Sequence, residues 1–133
     1  MEIDQLNLRD IQPSQFYISE EKIRAILVWF NKDDLSNFAP IPIKKLNGRI
    51  IFTDGHTRAW VAHTAGLETG PFVWDEDDLD WEAYQMCADA CIEQNVRTVA
   101  DFEGRILSGD EYRQKWAGWC DRLHETLEQR RAK

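Results

Sequence analysis

The dipeptide Asn47-Gly48 constrains the fold of this chain most, because both residues tolerate positive φ and suit a two-residue hairpin turn. Short apolar runs flank it, Ile41–Leu46 before and Arg49–Thr53 after, and they predict two antiparallel strands. The second run leads directly into Asp54–Arg58 and then into a segment that ends at Gly66, a residue suited to the left-handed end of a helix. The sequence therefore predicts a hairpin, a polar turn and a helix in succession.

Further elements are predicted on both sides of this unit. Leu6–Ile11 alternates apolar and polar residues, which predicts a first strand, and Pro71–Trp74 predicts a last one. Ser19 is placed as the N-cap of a helix between them. One apolar face of that helix is formed by Ile23, Ile26, Leu27 and Phe30. We therefore expect a small mixed-sheet domain over residues 1–76.

The chain after residue 76 is predicted to be helical and to pack on the first domain. Helices are expected over residues 81–95 and 99–107, and a capping box at Ser108–Glu111 predicts the start of the last one. That helix carries an apolar stripe formed by Tyr112, Trp116, Trp119, Cys120, Leu123 and Leu127. The acidic run Asp75–Asp78 is expected to be a solvated connection. The expected fold class is therefore α+β, with an all-helical extension over residues 77–133.

Composition limits the classes of function. The net charge is −8: residues 1–74 carry 8 Lys or Arg against 9 Asp or Glu, and residues 75–133 carry 8 against 15. Binding of nucleic acid needs a basic surface, so we do not expect it here. No apolar run approaches the ~20 residues of a membrane span. The first residues lack a secretory signal, and three cysteines form no disulfide pattern. We expect a cytoplasmic protein without a membrane segment.

The polar turn Asp54–Arg58 is the strongest candidate for a binding site. Free amide groups at a helix start, the positive end of the helix dipole and an arginine together favour an anion such as phosphate. Arg58 could clamp phosphate or form a surface salt bridge, and His56 could bind the ligand or make a structural hydrogen bond. Asp54 could hold magnesium, accept a proton or cap the helix. Thr57 could contact phosphate. If the site is catalytic, Asp54 and His56 are the candidate residues.

A wider pattern around this turn carries a family resemblance. It consists of Ile11-x-Pro13-Ser14, Pro42-Ile43 and Ile51-Phe52-x-Asp54-Gly55-His56-x-Arg58. Over roughly residues 4–74 this pattern resembles the ParB N-terminal and sulfiredoxin-like superfamily. The resemblance implies that the turn binds nucleotide phosphates, with Gly55, His56 and Arg58 lining the phosphate site and Asp54 near the helix start. It also brings Ser14 towards the pocket, although a turn-forming serine is the alternative.

Members of this superfamily differ in activity, and the chain departs from each of them. Sulfiredoxins have a catalytic cysteine before a His-Arg pair in this turn, and no cysteine lies near it here. Free serine kinases share an Asp-Gly-His-His-Arg turn but also use a glutamate where this chain has Pro13–Gln15. Partitioning proteins carry a helical DNA-recognition domain that the acidic, tryptophan-rich helices do not resemble. The resemblance therefore implies a fold and a pocket and leaves the activity open.

A second group of residues could bind a metal. Cys87 and Cys91, like Cys120 and His124, are four residues apart, one helical turn. If the two helices face each other, a tetrahedral zinc site of three cysteines and one histidine is conceivable. Each cysteine also lies on the apolar face of its helix, which is typical of core packing.

Three hypotheses on function follow. The first is a binding domain for a nucleotide or another phosphate-bearing small molecule at Asp54–Arg58. The second is a magnesium-dependent small-molecule kinase or nucleotide hydrolase that uses Asp54 and His56. The third is a non-enzymatic interaction module whose C-terminal helices bind a protein partner or self-associate, and it predicts an exposed apolar patch on the last helix.

Overall fold

A computed structural model describes residues 3–132 of the protein. The fold is α+β, which confirms the predicted fold class. The helices are α1 (Glu20–Leu27), α2 (His56–Thr64), α3 (Trp81–Glu93), α4 (Gly109–Tyr112) and α5 (Gly118–Arg131). A π-helical turn (Arg113–Ala117) joins α4 to α5. Single 3-10 turns lie at Ile3–Gln5, Leu8–Asp10, Leu35–Asn37 and Val99–Phe102. No helix within residues 3–132 combines the length and the apolar character that crossing a membrane requires.

The larger sheet contains the predicted hairpin. Its strands are β2 (Ile41–Leu46), β3 (Arg49–Phe52) and β4 (Phe72–Trp74), in the order β3-β2-β4. Strands β2 and β3 are antiparallel, and Asn47 and Gly48 have φ values of 48° and 79°, as the predicted turn requires. Strand β4 pairs in parallel with β2 after the chain has crossed over through α2. The end of β3 at Phe52 is followed, after three residues, by the start of α2 at His56.

The smaller sheet pairs the two parts of the chain. Strand β1 (Ile18–Ser19) runs parallel to β5 (Ile106–Leu107), with Ser19 opposite Leu107. Helix α1 starts directly after β1, where the Ser19 hydroxyl accepts a hydrogen bond from the Lys22 amide and confirms the predicted N-cap. Helix α4 starts just after β5. Two strand-to-helix junctions consequently lie side by side.

The main core draws on both sides of residue 76. Its buried members are Leu6, Leu8, Ile11, Phe16, Ile18, Phe38, Ile41, Ile43, Phe52, Ala59, Ala62, Cys91, Val96, Val99 and Phe102. A smaller cluster of Ala83, Leu123 and Leu127 joins α3 to α5. The proposed division at residue 76 stays a prediction, since a shared core does not by itself decide where a domain ends.

Two predicted elements are wrong. The expected strand over Leu6–Ile11 contains a 3-10 turn, because the Asp10 carboxylate accepts a hydrogen bond from the Asn7 amide and closes a local turn. In place of the expected helix over residues 99–107, a 3-10 turn ends at Phe102, Gly104 has a φ of 81°, and β5 follows. The extension is therefore not all-helical.

Two finer predictions also need correction, as does the exposed apolar patch that the interaction-module hypothesis predicted on the last helix. Ser108 makes no side-chain capping bond, so the expected capping box does not form. Leu27 is 56% exposed, whereas Ile23 and Phe30 on the same predicted face pack against the core. The stripe on the last helix faces inward: Leu123 and Leu127 are buried, and none of the large exposed hydrophobic residues of the described chain lies on that helix.

Candidate functional site

The turn before α2 has a left-handed residue at its centre. Gly55, at φ 73°, is the residue that precedes the helix, so the expectation that Asp54 caps α2 is wrong. Asp54 is exposed, and its Oδ1 accepts a hydrogen bond of 2.8 Å from the Gly55 amide. A Cβ at Gly55 would lie 2.7 Å from Nη2 of Arg58 and 3.1 Å from Cγ2 of Ile41. Glycine is required here for its φ and for the close approach of Arg58.

All five residues of the turn line one cavity of about 310 Å³, which we name the α2 cavity. The opposite wall comes from α1 and the segment before it, through Gln15, Lys22, Ala25 and Ile26. The first amide groups of α2 have no acceptor within the helix and lie at this cavity. The cavity therefore combines a helix start, two cationic side chains and a small apolar wall.

Arg58 is held by backbone rather than by an acid. Its Nη1 donates to the carbonyl oxygens of Ala39 at 2.7 Å and Pro40 at 3.2 Å. No carboxylate between residues 3 and 132 forms a salt bridge with it, so the surface salt bridge considered from the sequence does not form. The contacts hold one side of the guanidinium and leave Nη2 beside Gly55 at the cavity.

Sequence reasoning missed Lys22 and Gln15. Lys22 is exposed on α1, and within the described chain it forms no salt bridge. Its Nζ lies 5.1 Å from the centre of the Tyr112 ring. The Nε2 of Gln15 donates to the Tyr112 hydroxyl at 3.1 Å. No local signal in the sequence places α1 beside the turn, because that placement depends on contacts between residues far apart in the chain.

His56 has a structural hydrogen bond. The Ser14 amide donates to His56 Nε2 at 2.9 Å, and the Ser14 hydroxyl donates to the Phe52 carbonyl at 2.6 Å. Burial lowers the pKa of His56 from 6.5 to about 4, although the nearby Asp54 carboxylate opposes the shift. The imidazole is therefore neutral at pH 7, with Nε2 unprotonated and the proton on Nδ1. Ser14 does approach the site, and it does so through His56.

Thr57 has a hydroxyl group without a hydrogen-bond partner in the described part of the protein. It is 9% exposed and lines the α2 cavity. Its hydroxyl makes no hydrogen bond to any residue from 3 to 132, while no completely buried side-chain nitrogen or oxygen in that range is unpaired. The hydroxyl is therefore not completely enclosed, and a ligand in the cavity that Thr57 lines could bond to it.

The residue before the turn, Thr53, is held by two further hydrogen bonds. The Thr53 hydroxyl donates to Asp75 Oδ2 at 2.6 Å, and the Tyr84 hydroxyl donates to the Thr53 carbonyl at 3.2 Å. Burial raises the pKa of Tyr84, and the charges of Asp54 and Asp75 raise it further. Asp75 therefore has a structural role, beyond the solvated connection that its acidic run predicted.

The second constellation forms a different kind of cavity. Cys87, Cys120 and His124 line a space of about 330 Å³ between α3 and α5, which we name the thiol cavity. Burial raises the pKa of Cys87 to about 12 and that of Cys120 to about 11, and it also raises the pKa of buried Cys91. Within residues 3–132 no three of the His, Cys, Asp and Glu side chains are close enough to hold one metal ion. The structure therefore does not bring these four residues together as a zinc site.

No protein-family model matches this chain, and no curated protein sequence matches it. The crystal structure of protein Atu1540 from Agrobacterium tumefaciens is similar to it, with a TM-score of 0.41 and 11% sequence identity. The similarity covers 73% of this chain, which spans 59% of that chain. A match at this level assigns neither a family nor an activity, and the resemblance to the ParB and sulfiredoxin-like superfamily stays a prediction.

Proposed function

We propose that the protein binds a phosphate-bearing small molecule, with nucleotides as the first candidates, in the α2 cavity. The observation that carries the proposal is a set of donor groups that line the α2 cavity and that no carboxylate of the described residues neutralises. Lys22 and Arg58 have no carboxylate partner among the described residues, and the Thr57 hydroxyl has no hydrogen bond there. Charged donors at a helix N-terminus favour an anion, and their number favours a dianionic phosphate over a carboxylate.

Two features suit an organic phosphate. Ala25 and Ile26 give the cavity an apolar wall that could accept the organic part of the ligand. Asp54 is the carboxylate of the cavity. Magnesium is commonly bound by one or two carboxylates together with substrate phosphates, so Asp54 is the residue that would hold an ion accompanying a nucleotide. The resemblance to nucleotide-binding turns supports the same reading.

Catalysis is a second candidate, and Asp54 favours it because its carboxylate is exposed at the cavity. His56 suits a structural role in positioning the turn better than a catalytic one. Its Nε2 accepts a hydrogen bond from the Ser14 amide, and burial keeps the ring neutral. A kinase or hydrolase would turn over ATP or another nucleotide, and Asp54→Asn would abolish that turnover. Equal turnover in the variant would remove Asp54 from the mechanism.

The binding proposal is tested by titrating inorganic phosphate, ATP and acetate while following the amide NMR signals of Thr57 and Arg58 and the melting temperature. We expect phosphate and ATP, but not acetate, to shift these signals. Ligand at 100 times its Kd should add about 2.7 kcal/mol of stability. Lys22→Ala and Arg58→Ala should each weaken binding roughly ten-fold, as expected for a charged hydrogen bond.

Lys32→Ala is the matched control, because it removes one positive charge from the exposed loop after α1. We expect it to keep the wild-type affinity to within about two-fold. Arg58→Lys keeps the charge and loses the planar fork, and it should bind more weakly than wild type. Equal binding in wild type, Lys22→Ala and Arg58→Ala, or no response of the turn to any phosphate compound, would contradict the proposal.

A further inference from the structure

The C-terminal helical segment lies directly beside the α2 cavity. Because β1 and β5 are parallel, the first turn of α1 lies against the start of α4. A Cβ at Gly109 would meet the carboxylate of Glu21, so glycine permits the two helices to approach this closely. Further along the same segment, Trp116 and Trp119 pack edge-on against Phe16, with ring centres 4.9 and 5.1 Å away. Residues 109–119 are thereby fixed against the wall of the site.

Tyr112 is the residue of this segment that contacts side chains lining the α2 cavity. Its ring lies 5.1 Å from Lys22 Nζ, within the range of a cation–π interaction. Its hydroxyl accepts a hydrogen bond from Gln15, whose Nε2 also donates to the Tyr17 carbonyl at 2.7 Å. Gln15 and Lys22 both line the α2 cavity, whereas Tyr112 does not. Tyr112 therefore contacts two of the residues that line the cavity.

We propose that Tyr112 positions the Lys22 ammonium at the start of α2, so that segment 109–131 completes the anion site. The inference rests on the proposed function of the same cavity. An aromatic face attracts an ammonium group without neutralising it, so Lys22 keeps its charge for the ligand. Holding the flexible lysine stem in place also reduces the conformational entropy that binding must remove. Since coupling between sites is reciprocal, an anion that binds Lys22 stabilises the packing of segment 109–131.

The test measures the affinity for inorganic phosphate at low ionic strength, from the Thr57 amide signal, in a double-mutant cycle. Tyr112→Leu removes the ring and should weaken binding roughly three-fold, whereas Tyr112→Phe keeps the ring and should bind within about two-fold of wild type. If Tyr112 acts through Lys22, Tyr112→Leu has no further effect in the Lys22→Ala background. Arg113→Ala is the matched control, because it removes an exposed charge from the adjacent position.

A second measurement covers the case in which Tyr112→Leu does not fold. Phosphate should slow amide hydrogen exchange over residues 109–116 in wild type, and this protection should disappear in Lys22→Ala. The positioning role is overturned if phosphate slows exchange equally in wild type and Lys22→Ala. It is also overturned if wild type binds phosphate without any slowing of exchange over residues 109–116.

The outcomes separate this inference from the proposed function. Wild type that binds phosphate while Tyr112→Leu binds equally well overturns the inference alone. A loss in Tyr112→Leu that persists unchanged in the Lys22→Ala background also overturns it, because the effect is then merely structural. Wild type that does not bind phosphate overturns both.

Discussion

The α2 cavity and the thiol cavity are both lined by residues that the sequence marks as candidate ligands. The two cavities differ in the environment that the fold gives these residues. In the α2 cavity, Lys22 and Arg58 have no acidic partner among the described residues. In the thiol cavity, burial raises the pKa of Cys87 and Cys120, so both thiols are protonated at neutral pH. Residue spacing alone therefore does not identify a site, because the same kind of spacing leads to buried, protonated thiols in one cavity and to charged groups without an acidic partner in the other.

The largest expected effect tests whether the helices around the thiol cavity serve stability. Leu127 is 1% exposed and packs with Ala83 and Leu123 between α3 and α5. Leu127→Ala should lower the free energy of unfolding by about 2–5 kcal/mol, through lost burial and the cavity left behind. The folded variant should keep its phosphate affinity to within about two-fold, because Leu127 does not line the α2 cavity. Denaturant unfolding and phosphate titration give the two quantities.

Two outcomes would contradict a purely structural role for the helices around the thiol cavity. A cost well below 1 kcal/mol would mean that α5 adds little to the fold. A large loss of phosphate affinity in a folded variant would mean that the packing of α5 is coupled to binding in the α2 cavity. Arg58→Ala is the counterpart, and its effect should be larger on affinity than on stability.

The second prediction concerns His56, which lies at both cavities. Its pKa of about 4 in the folded protein is below the ordinary value of 6.5, so the folded state binds fewer protons between these pH values. Its contribution to stability is fully present above pH 6.5 and is lost as the pH falls towards 4. The loss should reach about 3 kcal/mol at pH 4. Denaturant unfolding from pH 7.5 to 4 measures it.

The pH effect must be separated from that of acidic residues. Hydrogen bonds lower the pKa of Asp34 and Asp80 as well, so protonation of these carboxylates also reduces stability in acid. The test is therefore the difference between wild type and His56→Gln, whose profile should be flatter by about 3 kcal/mol. Parallel profiles for wild type and His56→Gln would contradict the burial of a neutral imidazole.

The local part of the site could be predicted from the sequence. Asn47-Gly48 specifies its hairpin through backbone preferences alone, and the turn Asp54–Arg58 and the end of α2 shortly before Gly66 follow from similar local signals. All five predicted site residues line one cavity for this reason. Whether they bind phosphate stays a prediction.

The remaining parts depend on distant contacts or on competing local bonds. Lys22 and Tyr112 are 90 positions apart and meet because β1 pairs with β5, two strands of two residues each that leave little pattern in the sequence. The alternation in Leu6–Ile11 resembles a strand, yet the Asn7–Asp10 hydrogen bond favours a turn. The burial of the cysteines also depends on distant contacts. Their spacing is compatible with a zinc site, but it does not predict how deeply the thiols are buried.

The last prediction tests that burial directly at Cys120, the least perturbed of the three thiols. Only a thiolate reacts rapidly with an alkylating reagent, and a pKa of about 11 against 9 for a free thiol reduces the thiolate fraction about 100-fold. In a variant that retains Cys120 alone, iodoacetamide at pH 8 should therefore react about 100-fold more slowly with folded protein than with protein in guanidinium. Zinc added before the reagent should not change the rate in wild type, because the described residues offer no group of three metal ligands. Rapid labelling of folded protein, or protection by zinc, would instead give the thiol cavity a reactive or metal-binding role and remove its contrast with the α2 cavity.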